Sequence, residues 1–232
     1  FLTVIPIILS QTIYQLSGTV DNTVFGQVMD AQENVDTTFL WGIYSNKYRM
    51  LTNLPVAIAT ALGASIVPAL ANTYAVGDDD GVREKIASSV KFNMLIAIPA
   101  AVGMGVLADP IIRLLFPSTE IELSAKLLQS GSAAIVFFAY STLTNGVLQG
   151  IDRMRLPVIH AAISLVLHVL VLVVLLWGFR LGVYGLVIGN VTYALGVCVL
   201  NWIGIGKHAA YRQEVRTTFL MPALCAAVMG AV

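Results

Sequence analysis

A helix needs about 20 mostly apolar residues to cross a hydrocarbon core of roughly 30 Å, and this chain supplies such stretches one after another. They cover 1–20, 38–71, 82–107, 124–149, 156–177, 183–205 and 219–232. The breaks between them are polar or glycine-framed: Gly77 to Gly81 encloses Asp78, Asp79 and Asp80, Pro117 leads into Ser118 and Thr119, and Gly178 and Gly182 bracket Arg180. Short alternating strands of a membrane barrel do not produce unbroken apolar runs of this length. Composition agrees, because only 11% of residues are charged where a soluble domain carries about 25%. The expected class is all-α, a polytopic membrane helix bundle.

The organisation expected is a transmembrane bundle of six spans over 1–206, then a cytoplasmic connection and the start of a seventh span over 207–232. The chain opens inside an apolar stretch without a methionine and is still apolar at Val232, which points to a portion of a longer protein. Thirteen basic residues balance thirteen acidic ones, which argues against a nucleic-acid binder. Cys198 and Cys225 sit in apolar stretches without metal-ligand spacing. Lysine and arginine set the orientation. Arg83, Lys85, Lys91, Arg153, Arg155, Lys207, Arg212 and Arg216 fall on one side, expected to be cytoplasmic, against Arg113, Lys126 and Arg180 opposite. The acidic connection from Asp21 to Thr37 is then expected outside.

Polar side chains are costly in hydrocarbon, so their positions carry information. On the first span Ser10, Tyr14, Ser17 and Asp21 share a helical face. On the second, Asn46, Arg49, Asn53 and Thr60 share one, with Lys47 about 200° round from Arg49. Both cations lie roughly 14–17 Å along the helix from Thr38, where an unmatched charge costs about 3 kcal/mol. Either their stems snorkel to the outer headgroups, or Arg49, Lys47, Asn46 and Asn53 line a wet cavity that receives an anion. Ser141, Asn145, His160, Ser164, Asn190 and Asn201 on later spans read as interhelical hydrogen-bonding groups. Pro55, Pro68 and Pro99 kink their helices, and glycines at 185 and 189 permit close helix approach. Kinked helices sliding about a polar cavity suit alternating access.

Three blocks carry a family resemblance. YSNKYRMLTNLPVAIATALGASIVPAL from Tyr44, IAIPAAVGMGVLADPIIRLLF from Ile96 and GVLQGIDRMRLPV from Gly146 resemble, in family order, segments of the multidrug/oligosaccharidyl-lipid/polysaccharide (MOP) exporter superfamily. The third is similar to the polysaccharide-biosynthesis branch, with stage V sporulation protein B-like proteins and MurJ-type lipid II flippases. The resemblance implies the C-terminal six-helix lobe of a two-lobe MOP/MATE-like transporter plus part of a further helix, whose partners are a missing N-terminal bundle of the same chain and membrane lipid. It implies a multi-pass protein of the bacterial plasma membrane that moves an undecaprenyl-pyrophosphate-linked saccharide outward. Arg49 and Lys47 would then hold the pyrophosphate. Some members carry a sodium site on the first, fifth and sixth helices of this bundle, and the matching positions are Asp21, His168 and Thr192.

No G-x-x-x-x-G-K-[ST] motif and no nucleophile–base set occurs. The expectation is therefore a transporter rather than an enzyme, without a cofactor, driven by a coupling ion (Na+ or H+) or the membrane potential. The competing reading is a cation-coupled multidrug exporter of the MATE type, whose cavity should be acidic to receive cationic drugs.

Overall fold

The computed structural model describes residues 4–31, 36–117 and 120–231. The side chains of residues 4–7, Ser10, Gln11 and Tyr14 lie outside the described set, and with them part of the polar face expected on the first span. Regular structure among the described residues is entirely helical. The helices are α1 (Val4–Asp30), α2 (Thr37–Ala75), α3 (Asp79–Val106), α4 (Ala108–Leu115), α5 (Ile121–Gly131), α6 (Ala134–Gly150), α7 (Arg155–Gly178), α8 (Val183–Ala209) and α9 (Arg216–Ala231). Four of them, α2, α3, α7 and α8, are long and apolar enough to cross a membrane, and α5 with α6 makes a fifth if the bent pair is one span.

Local chemistry sets the ends. Asp36 caps α2 by accepting from Phe39 N at 2.9 Å, and Asp78 caps α3 by accepting from Gly81 N at 2.9 Å. Gly77, at φ 73°, takes the left-handed turn that ends α2. Leu54, Ile58, Leu95, Val166, Leu170 and Ile203 are exposed, an outer surface suited to lipid and unsuited to water.

Two elements differ from expectation. The connection expected from Asp21 to Thr37 is helical as far as Asp30. The reason is an apolar face that continues past the polar row: Phe25, Val28 and Met29 are buried, and Phe25 packs 6.3 Å from Trp41. Asp21 therefore lies within a helix and is buried. The fourth apolar stretch is two helices, α5 and α6, meeting at 50°. At the break Gly131 lies against the Tyr48 ring, where a Cβ would collide, and the Tyr48 hydroxyl donates to the Gly131 carbonyl at 3.3 Å.

Apolar packing falls into one cluster around Phe25, Tyr44, Tyr48, Ile112 and Leu127, and a second one around Leu70, Ile86, Met94, Leu143 and Val147. In the second cluster α2 and α6 approach so closely that a Cβ on Gly146 would strike the Gly63 carbonyl. A buried polar network ties α6, α7 and α8 together. Asn201 Nδ2 donates to Asn145 Oδ1 at 2.8 Å and Thr144 Oγ1 at 3.0 Å, while Asn201 Oδ1 accepts from His160 Nδ1 at 2.7 Å. These are the interhelical bonds expected from the sequence for Asn145, His160 and Asn201. At about 0.6 kcal/mol per contact, Asn201→Leu should cost about 2 kcal/mol across the three side-chain bonds. A thermal melt of the full-length protein should show a lowered Tm; an unchanged Tm would show that the network adds nothing to stability.

Candidate functional site

The two cations of α2 sit in a wide turn, Tyr44–Arg49, where hydrogen bonds reach one residue further than in an α-helix. This turn carries an aromatic ladder, with Trp41, Tyr44 and Tyr48 spaced 5.4 Å ring to ring. It sends the basic side chains to different places. Lys47 is buried against the start of α5 and the segment before it: its Nζ donates to Ser124 Oγ at 3.1 Å and lies 5.6 Å from the centre of the Phe116 ring. Arg49 instead reaches α1, where its guanidinium occupies the space a side chain on Gly18 would need, with Nη1 2.5 Å from a Cβ built there.

Arg49 lines a cavity of about 220 Å³ with Gln15, Ser17, Thr52, Asn53, Val56, Thr60, Phe138, Thr142 and Asn190. Four helices, α1, α2, α6 and α8, thus contribute to one hollow. Gln15, Asn53 and Thr60 are exposed at its surface, while Ser17, Thr52 and Asn190 are buried. Among the described residues Arg49 makes no ion pair. Of the four expected substrate-binding side chains, Arg49 and Asn53 line the hollow; Asn46 is exposed and does not, and Lys47 lies toward α5. Thr142, Phe138 and Gly18 were not singled out from the sequence. The only available hint was Gly18, one position from Ser17 on the polar face.

One turn along α1 from Ser17 lies a buried contact between a carboxyl group and an imidazole. His168 Nε2 meets Asp21 Oδ1 at 2.5 Å, and His168 Nδ1 donates to the Gly189 carbonyl at 2.7 Å. Asp21 and His168 are each 1% exposed. Thr192, expected beside them, turns its hydroxyl back to the Ile188 carbonyl of its own helix at 2.8 Å. Among the described residues no group of three or more His, Cys, Asp or Glu gathers as a metal cage would require.

The hollow is basic and lined with amides, and the sequence profile of the family described as "Lipid II flippase MurJ" matches residues 2–232. The chain belongs to the MurJ family. Its curated relatives include the lipid II flippase MurJ of Bacillus subtilis (strain 168), 24% identical over 216 residues that are 91% of this chain and 39% of that protein. A probable lipid II flippase MurJ of Bdellovibrio bacteriovorus is 28% identical over 190 residues, 78% of this chain and 35% of its relative. This MurJ-family chain thus spans well under half the length of these relatives.

Solved structures place the fold. A lipid II flippase MurJ in an inward closed conformation superposes with a TM-score of 0.71 at 15% identity, over 93% of this chain and 44% of that one. A MOP superfamily transporter from Pyrococcus furiosus gives 0.73 at 13% identity, over 98% of this chain and 50% of that one. A multidrug resistance MATE family transporter of the same superfamily gives 0.73 at 12% identity, over 98% and 51%. The MurJ-family chain is accordingly an all-helical membrane domain with the fold of a MOP transporter, and the family is one of transporters, not enzymes.

Proposed function

We propose that this chain forms one lobe of a flippase that carries an undecaprenyl-pyrophosphate-linked saccharide across the bacterial plasma membrane by alternating access. Arg49 meets the pyrophosphate in this reading, with Asn53 beside it. The observation that carries it is a guanidinium in a helix long and apolar enough to cross a membrane, lining a hollow and without a carboxylate partner among the described residues. Such a cation favours water or an arriving anion beside it, and a guanidinium fork matches phosphate oxygens with paired hydrogen bonds. Asn53, Thr60 and Gln15 at the mouth offer amides and a hydroxyl to sugar or phosphate. The second lobe would close the hollow from the other side.

The multidrug alternative shares the fold, but its cargo calls for acidic side chains. Among the described residues no carboxylate lines this hollow, and the nearby Asp21 is already engaged by His168. The discriminating experiment reconstitutes the full-length protein in vesicles and follows two cargoes, a fluorescent undecaprenyl-pyrophosphate-linked saccharide and a lipophilic cationic dye. Movement of the first and not the second is expected; movement of the dye alone would overturn the reading.

Gly18 supplies a subtler test. In Gly18→Ala the new methyl group displaces only the far end of the Arg49 side chain. A displaced binding group costs on the order of 10- to 100-fold in rate. Flipping should fall by that factor with Tm unchanged, and a full flipping rate would contradict the placement of Arg49.

A further inference from the structure

The hollow is longer than a pyrophosphate. Along α2 its lining runs from Arg49 through Asn53 and Val56 to Thr60, roughly 16 Å at the helical rise of about 1.5 Å per residue. A pyrophosphate extends over only a few bonds, so phosphates held at Arg49 reach Asn53, one turn on, and not Thr60. The packing of α6 on α2 fixes what faces the far end. The two helices run in the same direction: Gly131, just before α6, lies against Tyr48, Gly146 against Gly63 and Gly150 against Leu70. Thr142 is therefore level with Thr60, its carbonyl 3.2 Å from a Cβ built on Gly63. Phe138, one turn earlier on α6, is level with Val56.

This end of the hollow has a chemistry of its own. Phe138 is half-buried, its ring 6.4 Å from that of Tyr193 on α8, and with Val56 it supplies an apolar wall. Two hydroxyls and an amide stand beside that wall. Thr60 donates to the Val56 carbonyl at 3.1 Å, so its oxygen keeps lone pairs for an incoming donor. The Thr142 hydroxyl and the Asn53 amide make no hydrogen bond among the described residues, and each can donate and accept. Apart from Arg49 no described lining residue is charged. An aromatic ring flanked by uncharged donors and acceptors suits a sugar. One face of a pyranose presents polarised C–H groups to the negative face of an aromatic, and its hydroxyls project at the edge toward hydrogen-bonding side chains. A second anion would be desolvated there without a counter-charge, and a hydrocarbon chain would leave the hydroxyls and amide unpaired.

We propose that Phe138, Thr142 and Thr60 form a subsite for the first sugar ring after the pyrophosphate, selective for a neutral pyranose. The cargo then lies along α2, its phosphates at Arg49 and its sugar toward the Gly77 end of that helix. Asn53 stands at the junction, within reach of both. The subsite rests on the function proposed above, in which Arg49 meets the phosphates; that function stands without it.

The test measures equilibrium binding to the purified full-length protein of three probes: undecaprenyl pyrophosphate, the same lipid carrying one glucose, and the same lipid carrying one glucuronic acid. Glucose should tighten binding to wild type by about tenfold or more. Phe138→Leu keeps the apolar bulk and loses the aromatic face, so the advantage conferred by glucose should shrink by about 2- to 10-fold. Thr142→Val keeps the shape and loses the hydroxyl, and should shrink it by a similar factor. Each advantage is a ratio of two affinities on one preparation, so a misfolded fraction cancels, and two variants guard against one failing to fold. Arg49→Ala should weaken the bare and the glucose-bearing lipid by the same factor. Glucuronic acid should confer less than glucose. Equal affinity of wild type for the lipid with and without glucose, a wild-type advantage in both variants, or a preference for glucuronic acid would each overturn the subsite. Failure of wild type to bind any of the three lipids, or wild-type affinities in Arg49→Ala, would instead refute the pyrophosphate reading and the subsite with it.

Discussion

Replacing Arg49 with alanine in the full-length protein should slow movement of an undecaprenyl-pyrophosphate-linked saccharide by about 10- to 150-fold. The estimate follows from the worth of a hydrogen bond to a charged group, about 1.5–3 kcal/mol, with every 1.4 kcal/mol tenfold. Folding should be spared, because Arg49 is only half-buried and makes no ion pair among the described residues. Arg49→Lys should fall between the two, since it keeps the charge and loses the planar fork. The readout is the initial flipping rate in vesicles, normalised to protein that is monodisperse after extraction. Wild-type rates for Arg49→Ala would remove the cavity cation from the mechanism.

The largest effect on stability is expected at Gly146. The backbones of α2 and α6 meet there, with the Gly63 carbonyl where a Cβ would go. A carbonyl cannot swing aside like a side-chain end, so the helices must separate. Overpacking a tight core costs about 1–3 kcal/mol, and parting two helices that hold Leu70, Leu143 and Val147 between them should reach the top of that range. Gly146→Leu should therefore yield little monodisperse full-length protein, while Gly146→Ala should fold with a lowered Tm. Size-exclusion chromatography of extracted protein with a thermal melt checks both. A Gly146→Leu variant with the wild-type profile would show that this approach is not under constraint. Because membrane helices gain little from burying one apolar surface against another, close approach of this kind supplies much of their adhesion.

The helices were legible in the sequence because hydrocarbon imposes a length and excludes charge. Their polar breaks at Asp78 and Gly182 are where the structure caps and turns them. Arg49 with Asn53 was legible as well, since a shared helical face is a matter of spacing. The extension of α1 to Asp30 was hidden because its acidic residues read as a connection, although Phe25, Val28 and Met29 held the helical face. The bend at Gly131 was hidden because its cause is the Tyr48 ring, 83 residues away in the chain. Spacing could not join Asp21 to His168, 147 positions apart; only the family resemblance placed them together. The parting of Lys47 from Arg49 depends on where α5 stands relative to α2, and no local pattern encodes that.

The central claim is that the hollow beside Arg49 receives an anionic group, and equilibrium binding tests it without requiring transport. Undecaprenyl pyrophosphate would be titrated onto the purified full-length protein, wild type and Arg49→Ala, at low and high salt. The account predicts a Kd at least about tenfold weaker for the variant, and a smaller loss of affinity with salt than wild type shows. Equal affinity and equal salt dependence in the two proteins would contradict it.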